Sequence, residues 1–176
     1  MKKSVGLSAM AALVFLAVAG PASAQNVFVL GGAGFPTGDF DRAADVGWMA
    51  GGGFTFDVGD DGLWIGAEGF YGSNSHTDSD DKTNVAGAFG ELGFSFHDPG
   101  QAGLYAFGGA GWVANQFSPD QGDEVNENQL GFIVGVGYDF PLGGATGFIE
   151  GRYIDTDEDN TSLGGLVAGI SFGLGG

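Results

Sequence analysis

The stretch Gln129-Leu130-Gly131-Phe132-Ile133-Val134-Gly135-Val136-Gly137-Tyr138-Asp139-Phe140 decides the fold class. Leu130, Phe132, Val134, Val136, Tyr138 and Phe140 share one parity, and Gln129, Gly131, Ile133, Gly135, Gly137 and Asp139 share the other. Side chains of a β-strand point alternately to its two faces, so this period of two marks a strand with one continuous apolar face. A helix is a poor alternative, because each interior glycine costs about 1 kcal/mol relative to alanine. The pattern recurs on either side. Asn84–Phe96 sets Ala86, Ala88, Gly90, Leu92, Phe94 and Phe96 against Gly87, Phe89, Glu91, Gly93 and Ser95. Val46–Phe56 sets Val46, Trp48, Ala50, Gly52, Phe54 and Phe56 against Gly47, Met49, Gly51, Gly53 and Thr55. Eight strands are predicted, roughly 26–35, 46–56, 63–72, 84–96, 103–115, 129–140, 146–154 and 163–174. The first and fifth alternate poorly, and their facing stays open.

The segments joining them also alternate in kind. Asp57–Gly62, His97–Ala102 and Pro141–Ala145 are short and rich in Gly, Pro and Asp, the chemistry of tight turns. Pro36–Asp45, Ser73–Thr83, Gln116–Asn128 and Asp155–Ser162 are longer and polar. Most strands have the length of a tilted strand crossing a hydrocarbon layer. Short turns at one end and long loops at the other describe an all-β, eight-stranded, antiparallel up-and-down transmembrane β-barrel of the bacterial outer membrane. The three turns and both termini then lie in the periplasm, and the four loops outside.

Two features of the strands follow from this reading. Strands two, four and six end in Phe54-x-Phe56, Phe94-x-Phe96 and Tyr138-x-Phe140, and strand eight in Ile170-x-Phe172. These four run in one direction, so their aromatics lie at one level and form a periplasmic girdle at the lipid headgroups. The bland alternative is ordinary core aromatics of a soluble barrel. If the apolar parity faces lipid, Glu68, Glu91, Glu150 and Arg152 face the lumen as a charge cluster. Glu150 and Arg152, two apart, share a face and can pair. Arg152 is expected to be shared among Glu150, Glu91 and Glu68. An eight-stranded barrel is only wide enough inside to be filled by side chains, so glycine on the inward parity leaves room for the large polar ones and for water.

Composition narrows the class further. The chain has 176 residues, of which 37 are Gly and none Cys, and 22 acids face 5 basic residues for a net charge of −17. Without cysteine there is no disulfide framework, no thiolate metal site and no lipidated N-terminal Cys. A polyanion would be repelled, which excludes nucleic acid as partner. Lys2 and Lys3, the apolar run Val5–Gly20 and Pro21-Ala22-Ser23-Ala24 read as a signal peptide helix with an A-x-A cleavage site. The expected division is residues 1–24 as signal and 25–176 as barrel domain. Cleavage would leave Arg42, Lys82 and Arg152 as the only basic residues beside all 22 acids.

Together with that leader, the first strand Asn26-Val27-Phe28-Val29-Leu30-Gly31-Gly32-Ala33-Gly34 and the last, Leu166-Val167-Ala168-Gly169-Ile170-Ser171-Phe172, resemble the small outer-membrane barrels of the OmpA, OmpX and opacity-porin type. The resemblance covers residues 25–176 and implies membrane anchoring, surface contact or a narrow pore rather than one activity. It further implies that the barrel-assembly machinery reads the last strand, although Gly173-Leu174-Gly175-Gly176 follow the aromatic Phe172. The peptidoglycan-binding domain that some members carry is not in this sequence.

Sites of chemistry are sparse. His76 lies in a long loop with Ser73, Ser75 and Asp78 nearby, but a polar loop offers none of the fixed hydroxyl-to-base geometry that nucleophilic catalysis needs. No catalytic residue, metal or cofactor is assigned, and no enzyme is expected. Acids cluster in the loops as Asp78, Asp80 and Asp81, as Asp120, Asp123, Glu124 and Glu127, and as Asp155, Asp157, Glu158 and Asp159. Asp78, Asp80, Asp81, Asp155, Asp157 and Asp159 are candidate cation ligands. Asp155–Asn160 is not an EF-hand, since Asn160 stands where that loop needs glycine and Leu166 where it needs glutamate. The alternatives are solvated loops kept soluble by like charge, or adaptation to brine.

The sequence therefore points to a monomeric integral outer-membrane barrel of structural or surface-interaction type. Its partners would be outer-membrane lipid, the assembly machinery and a surface ligand of unknown identity; its lumen would be polar and plugged. Competing readings are a narrow ion-conducting pore, a soluble periplasmic lipocalin-like barrel, and a lipid A-modifying enzyme. The lipocalin reading turns the charged parity outward and Trp48, Phe132 and Val134 inward.

Overall fold

A computed structural model describes residues 25–38, 44–76, 81–118, 125–156 and 162–174. Eight strands are present: β1 (Gln25–Thr37), β2 (Gly47–Asp57), β3 (Leu63–Ser75), β4 (Lys82–Ser95), β5 (Gly103–Ser118), β6 (Val125–Pro141), β7 (Thr146–Thr156) and β8 (Ser162–Gly173). Each pairs antiparallel with its sequence neighbour, and β1 pairs with β8 from Asn26↔Gly173 to Thr37↔Ser162, so the sheet closes into a barrel. Closure removes both sheet edges and satisfies the ladder within the protein, which strands surrounded by lipid require. The expected signal segment lies outside the described residues.

Several strands run past their predicted ends on the long-loop side. β5 and β6 continue together through Asn115↔Glu127, Gln116↔Asn126 and Phe117↔Val125. These residues are mostly polar, so no alternation advertises them. The hydrogen-bond ladder simply continues beyond the apolar band.

The tight connections fall where predicted. Leu142 N donates to Ala145 O at 2.8 Å across the β6–β7 turn, with Gly143 at φ 74°. That backbone region strains any residue bearing a Cβ, which explains glycine there. The β2–β3 connection is closed by Val58 N donating to Leu63 O at 2.7 Å.

The barrel is apolar outside. Phe132, Val134 and Val136 are 48%, 56% and 63% exposed, while Ile133 between them is 1% exposed. Trp48 is likewise exposed and Met49 buried. This overturns the lipocalin-like reading, which needs Trp48, Phe132 and Val134 inside. The open strands are also resolved: Phe28 and Leu30 of β1, and Tyr105, Phe107 and Val113 of β5, point inward.

The lumen differs along its length. Its long-loop half is filled by Met49, Val85, Val113, Ile133, Ile154, Leu163 and Val167, each at most 2% exposed, and by Phe70 stacked on Phe89 at 6.0 Å. The expectation of a polar interior therefore fails for this layer, while Asn74, Thr83, Asn115 and Gln129 are buried toward the long loops and Glu68, Glu91, Glu150 and Arg152 toward the short turns. Apolar side chains on the inward parity pack against one another across so narrow a barrel.

Candidate functional site

Below the apolar filling lies a layer of charge, at the border with the short-turn half. Arg152 on β7 reaches across the lumen to Glu68 on β3. Its Nη1 donates to Glu68 Oε1, and its Nη2 donates to Glu68 Oε2 at 3.0 Å. Its Nε donates to Glu150 Oε1 at 2.6 Å. The planar guanidinium presents its donors as a fork, which lets one side chain hold a carboxylate bidentately and a second at its edge. Tyr105 completes the set: its hydroxyl donates to Glu150 Oε2 at 2.8 Å. The Phe107 ring lies 5.9 Å from the guanidinium carbon. Arg152, Glu68 and Glu150 are each at most 5% exposed.

Glu91 departs from the expected sharing. It is 7% exposed and points into the same lumen, but its Oε1 has no hydrogen-bond partner among the described residues. Arg152 donates to Glu68 and Glu150 and makes no hydrogen bond to Glu91 Oε1.

Glycines make the room. Across the ladders, Glu68 sits opposite Gly53, Glu91 opposite Gly66 and Gly109, Glu150 opposite Gly137, and Arg152 opposite Gly135 and Gly165. A Cβ on Gly165 would stand 2.8 Å from both Arg152 Cγ and Met49 Sδ. The inward glycines of the sequence are thus the seats of the large side chains beside them.

Between the charge layer and the short turns is a cavity of about 530 Å³. Phe28, Trp64, Tyr105, Phe107 and Phe148 wall it, Glu68, Glu91 and Glu150 reach its inner end, and Asp57, Asp60 and His97 lie toward its mouth. His97 Nε2 meets Asp139 Oδ2 at 3.1 Å there. Composition and parity gave no sign of Tyr105 as a partner of the acids, because β5 alternates poorly. Trp64 and Phe148 share the inward parity of Glu68 and Glu150 on their own strands, which is the signal that could have found the aromatic walls.

The girdle residues cluster at the short-turn end. Phe54 and Phe172 flank Val27 in the ladder, Phe94 pairs with Leu63, and Tyr138 lies between Leu104 and Ile149. Phe94, Phe96, Tyr138 and Phe172 are exposed, and Phe56 and Phe140 half-exposed. Phe54 packs edge-on against Phe56 at 5.3 Å, as Phe94 does against Phe96 at 5.2 Å.

Of the candidate cation ligands, Asp78, Asp80, Asp157 and Asp159 lie outside the described residues. Asp155 Oδ1 accepts from Ser162 Oγ at 2.7 Å, and Asp81 O accepts from His76 N at 3.1 Å. Among the described residues no group of three or more His, Asp or Glu is placed to hold a metal ion. His76 Nε2 meets Thr83 Oγ1 at 2.9 Å, on the strand parity opposite to Ser73 and Ser75. Asp78 of that set is outside the described residues.

The sequence matches the family described as outer membrane protein beta-barrel domain over residues 8–175. No curated protein matches it. Its fold is similar to that of neisserial surface protein A, at TM-score 0.68 and 15% identity over 88% of this chain and all of that one. The N-terminal β-barrel domain of Pseudomonas aeruginosa OprF superposes at TM-score 0.53 and 16% identity, over 85% of this chain and all of the other. Ail of Yersinia pestis, crystallised with the heparin analogue sucrose octasulfate, gives 0.55 and 16%, over 86% of this chain and all of that one. At such identities the likeness is one of fold.

Proposed function

Because the chain belongs to the outer membrane protein beta-barrel domain family and so resides in the outer membrane, we propose that it acts there as a monomeric, non-enzymatic surface barrel with a sealed lumen. Its four acidic loops face the exterior, and its three turns and both termini face the periplasm. Residues 1–24 are the export signal and residues 25–176 the barrel, inserted by the assembly machinery through β8. The ring of Phe54, Phe56, Phe94, Phe96, Tyr138, Phe140 and Phe172 anchors it at the periplasmic headgroups, where rings are best accommodated.

The observation that carries the sealed lumen is the apolar filling of its long-loop half by Met49, Val85, Val113, Ile133, Ile154, Leu163 and Val167. An ion path would have to displace packed hydrocarbon. Planar-bilayer recording on the purified protein tests this. No steady conductance is expected; an ion-selective current altered by Arg152→Ala would establish the pore instead.

The loops suggest the sign of a partner. Ail was crystallised with a polysulfated sugar, whereas the loops here carry acid clusters with Arg42 and Lys82 as their basic residues. Like charge disfavours a sulfated ligand and favours a cationic or neutral one. A catalytic reading would require altered acylation of outer-leaflet lipid that disappears in His76→Ala.

A further inference from the structure

The cavity at the short-turn end has no role in anchoring or in loop contact. Its volume, about 530 Å³, lies in the range of small-molecule pockets, and its five aromatic walls surround a few convergent carboxylates. Two of these are already satisfied, Glu68 by Arg152 and Glu150 by Arg152 and Tyr105. Glu91 is not. It lines the cavity, is 7% exposed, and keeps Oε1 without a partner among the described residues. Leaving such an acceptor buried and unmatched is costly, whereas a charged donor brought to it forms a strong bond.

The chemistry of the walls selects the donor. Among the described residues no three His, Asp or Glu are grouped to hold a metal ion. Aromatic faces attract organic cations, most strongly when both are shielded from water. The rim adds Asp57, Asp60 and Asp139, so cations are concentrated at the mouth. We propose that this cavity binds a small organic ammonium ion, whose N–H groups donate to Glu91 while its hydrocarbon part lies against Trp64 and Phe148. Entry is from the short-turn side, because the other end of the lumen is packed.

The test uses the folded protein in micelles of a neutral detergent, titrated calorimetrically with phenethylammonium, 2-phenylethanol and Mg²⁺, with empty micelles as the partition control. Saturable binding of phenethylammonium at one site is expected, with the alcohol at least about tenfold weaker, the size of one charge-assisted hydrogen bond. Glu91→Gln keeps the side-chain shape and should weaken the ammonium at least about tenfold while the barrel stays folded by circular dichroism. Trp64→Leu should weaken it too, and decides the matter should Glu91→Gln fail to refold. The proposal is overturned by an absence of saturable binding, by equal affinity for the alcohol, by unchanged affinity in either variant, or by displacement of the ammonium by equimolar Mg²⁺.

Discussion

Arg152 is the residue on which the interior depends most. Its guanidinium joins walls on opposite sides of the barrel, through Glu68 on β3 and Glu150 on β7 itself. Removing one partner of a buried ion pair typically costs about 3–5 kcal/mol, because the other charge is left unmatched. Arg152→Met should therefore unfold at lower denaturant concentration in detergent. The loss should be largest at neutral pH and smaller in acid, where proton uptake removes the stranded carboxylates' repulsion. Equal stability of mutant and wild type throughout that range would contradict the cross-lumen tie. The glycines make a second prediction at this scale. A Cβ on Gly111 would lie 2.7 Å from Phe89 Cα and still closer to the Ala88 carbonyl oxygen, neither of which can rotate away, while one on Gly151 meets nothing within 4 Å. Gly111→Ala should lower the melting temperature measurably, and Gly151→Ala should leave it within the small range of ordinary surface changes.

At the scale of the element, β6 carries two different kinds of stabilisation on neighbouring residues. Val134 faces lipid, so Val134→Arg should cost about 2–4 kcal/mol if it lies near the midplane. Ile133 is inside, and Ile133→Ala should cost a comparable 2–5 kcal/mol, roughly, by opening a cavity. Transfer from micelles to a thicker bilayer separates them: only the first penalty should change. β6 was also the most legible strand, because within Gln129–Phe140 the bulky apolar residues keep to one parity save Ile133. β1 and β5 resisted reading for a physical reason. Gly31-Gly32-Ala33-Gly34 and Gly108-Gly109-Ala110-Gly111 put small residues on both faces, inward to seat neighbours and outward where lipid asks little of shape. The charge cluster could be placed on one face from parity alone. Which acid Arg152 would choose could not, since that depends on the distance across the barrel from β7 to β3 and β4, a quantity no single strand contains.

At the scale of the whole molecule, the closed eight-stranded topology was readable from strand count, strand length and the alternation of short and long connections. The division of the lumen was not, because the inward parity mixes Met49, Phe89 and Ile133 with Glu68 and Glu150, and only their heights along the axis sort them into layers. That sorting makes the barrel a cup rather than a tube. In the orientation proposed above, its cavity opens to the periplasm. Since the chain has no cysteine, a single introduced thiol can report the compartment that reaches it. Ser171→Cys, at the cavity, should react with a membrane-impermeant maleimide only after the outer membrane is breached, and Val113→Cys should stay unlabelled until the protein unfolds. Labelling of Ser171→Cys in intact cells would mean that the cup opens outward. In the proposed orientation such a cup would sample the cell's own side of its boundary while the loops sample the surroundings, so one small protein would answer to two solutions that do not mix through it.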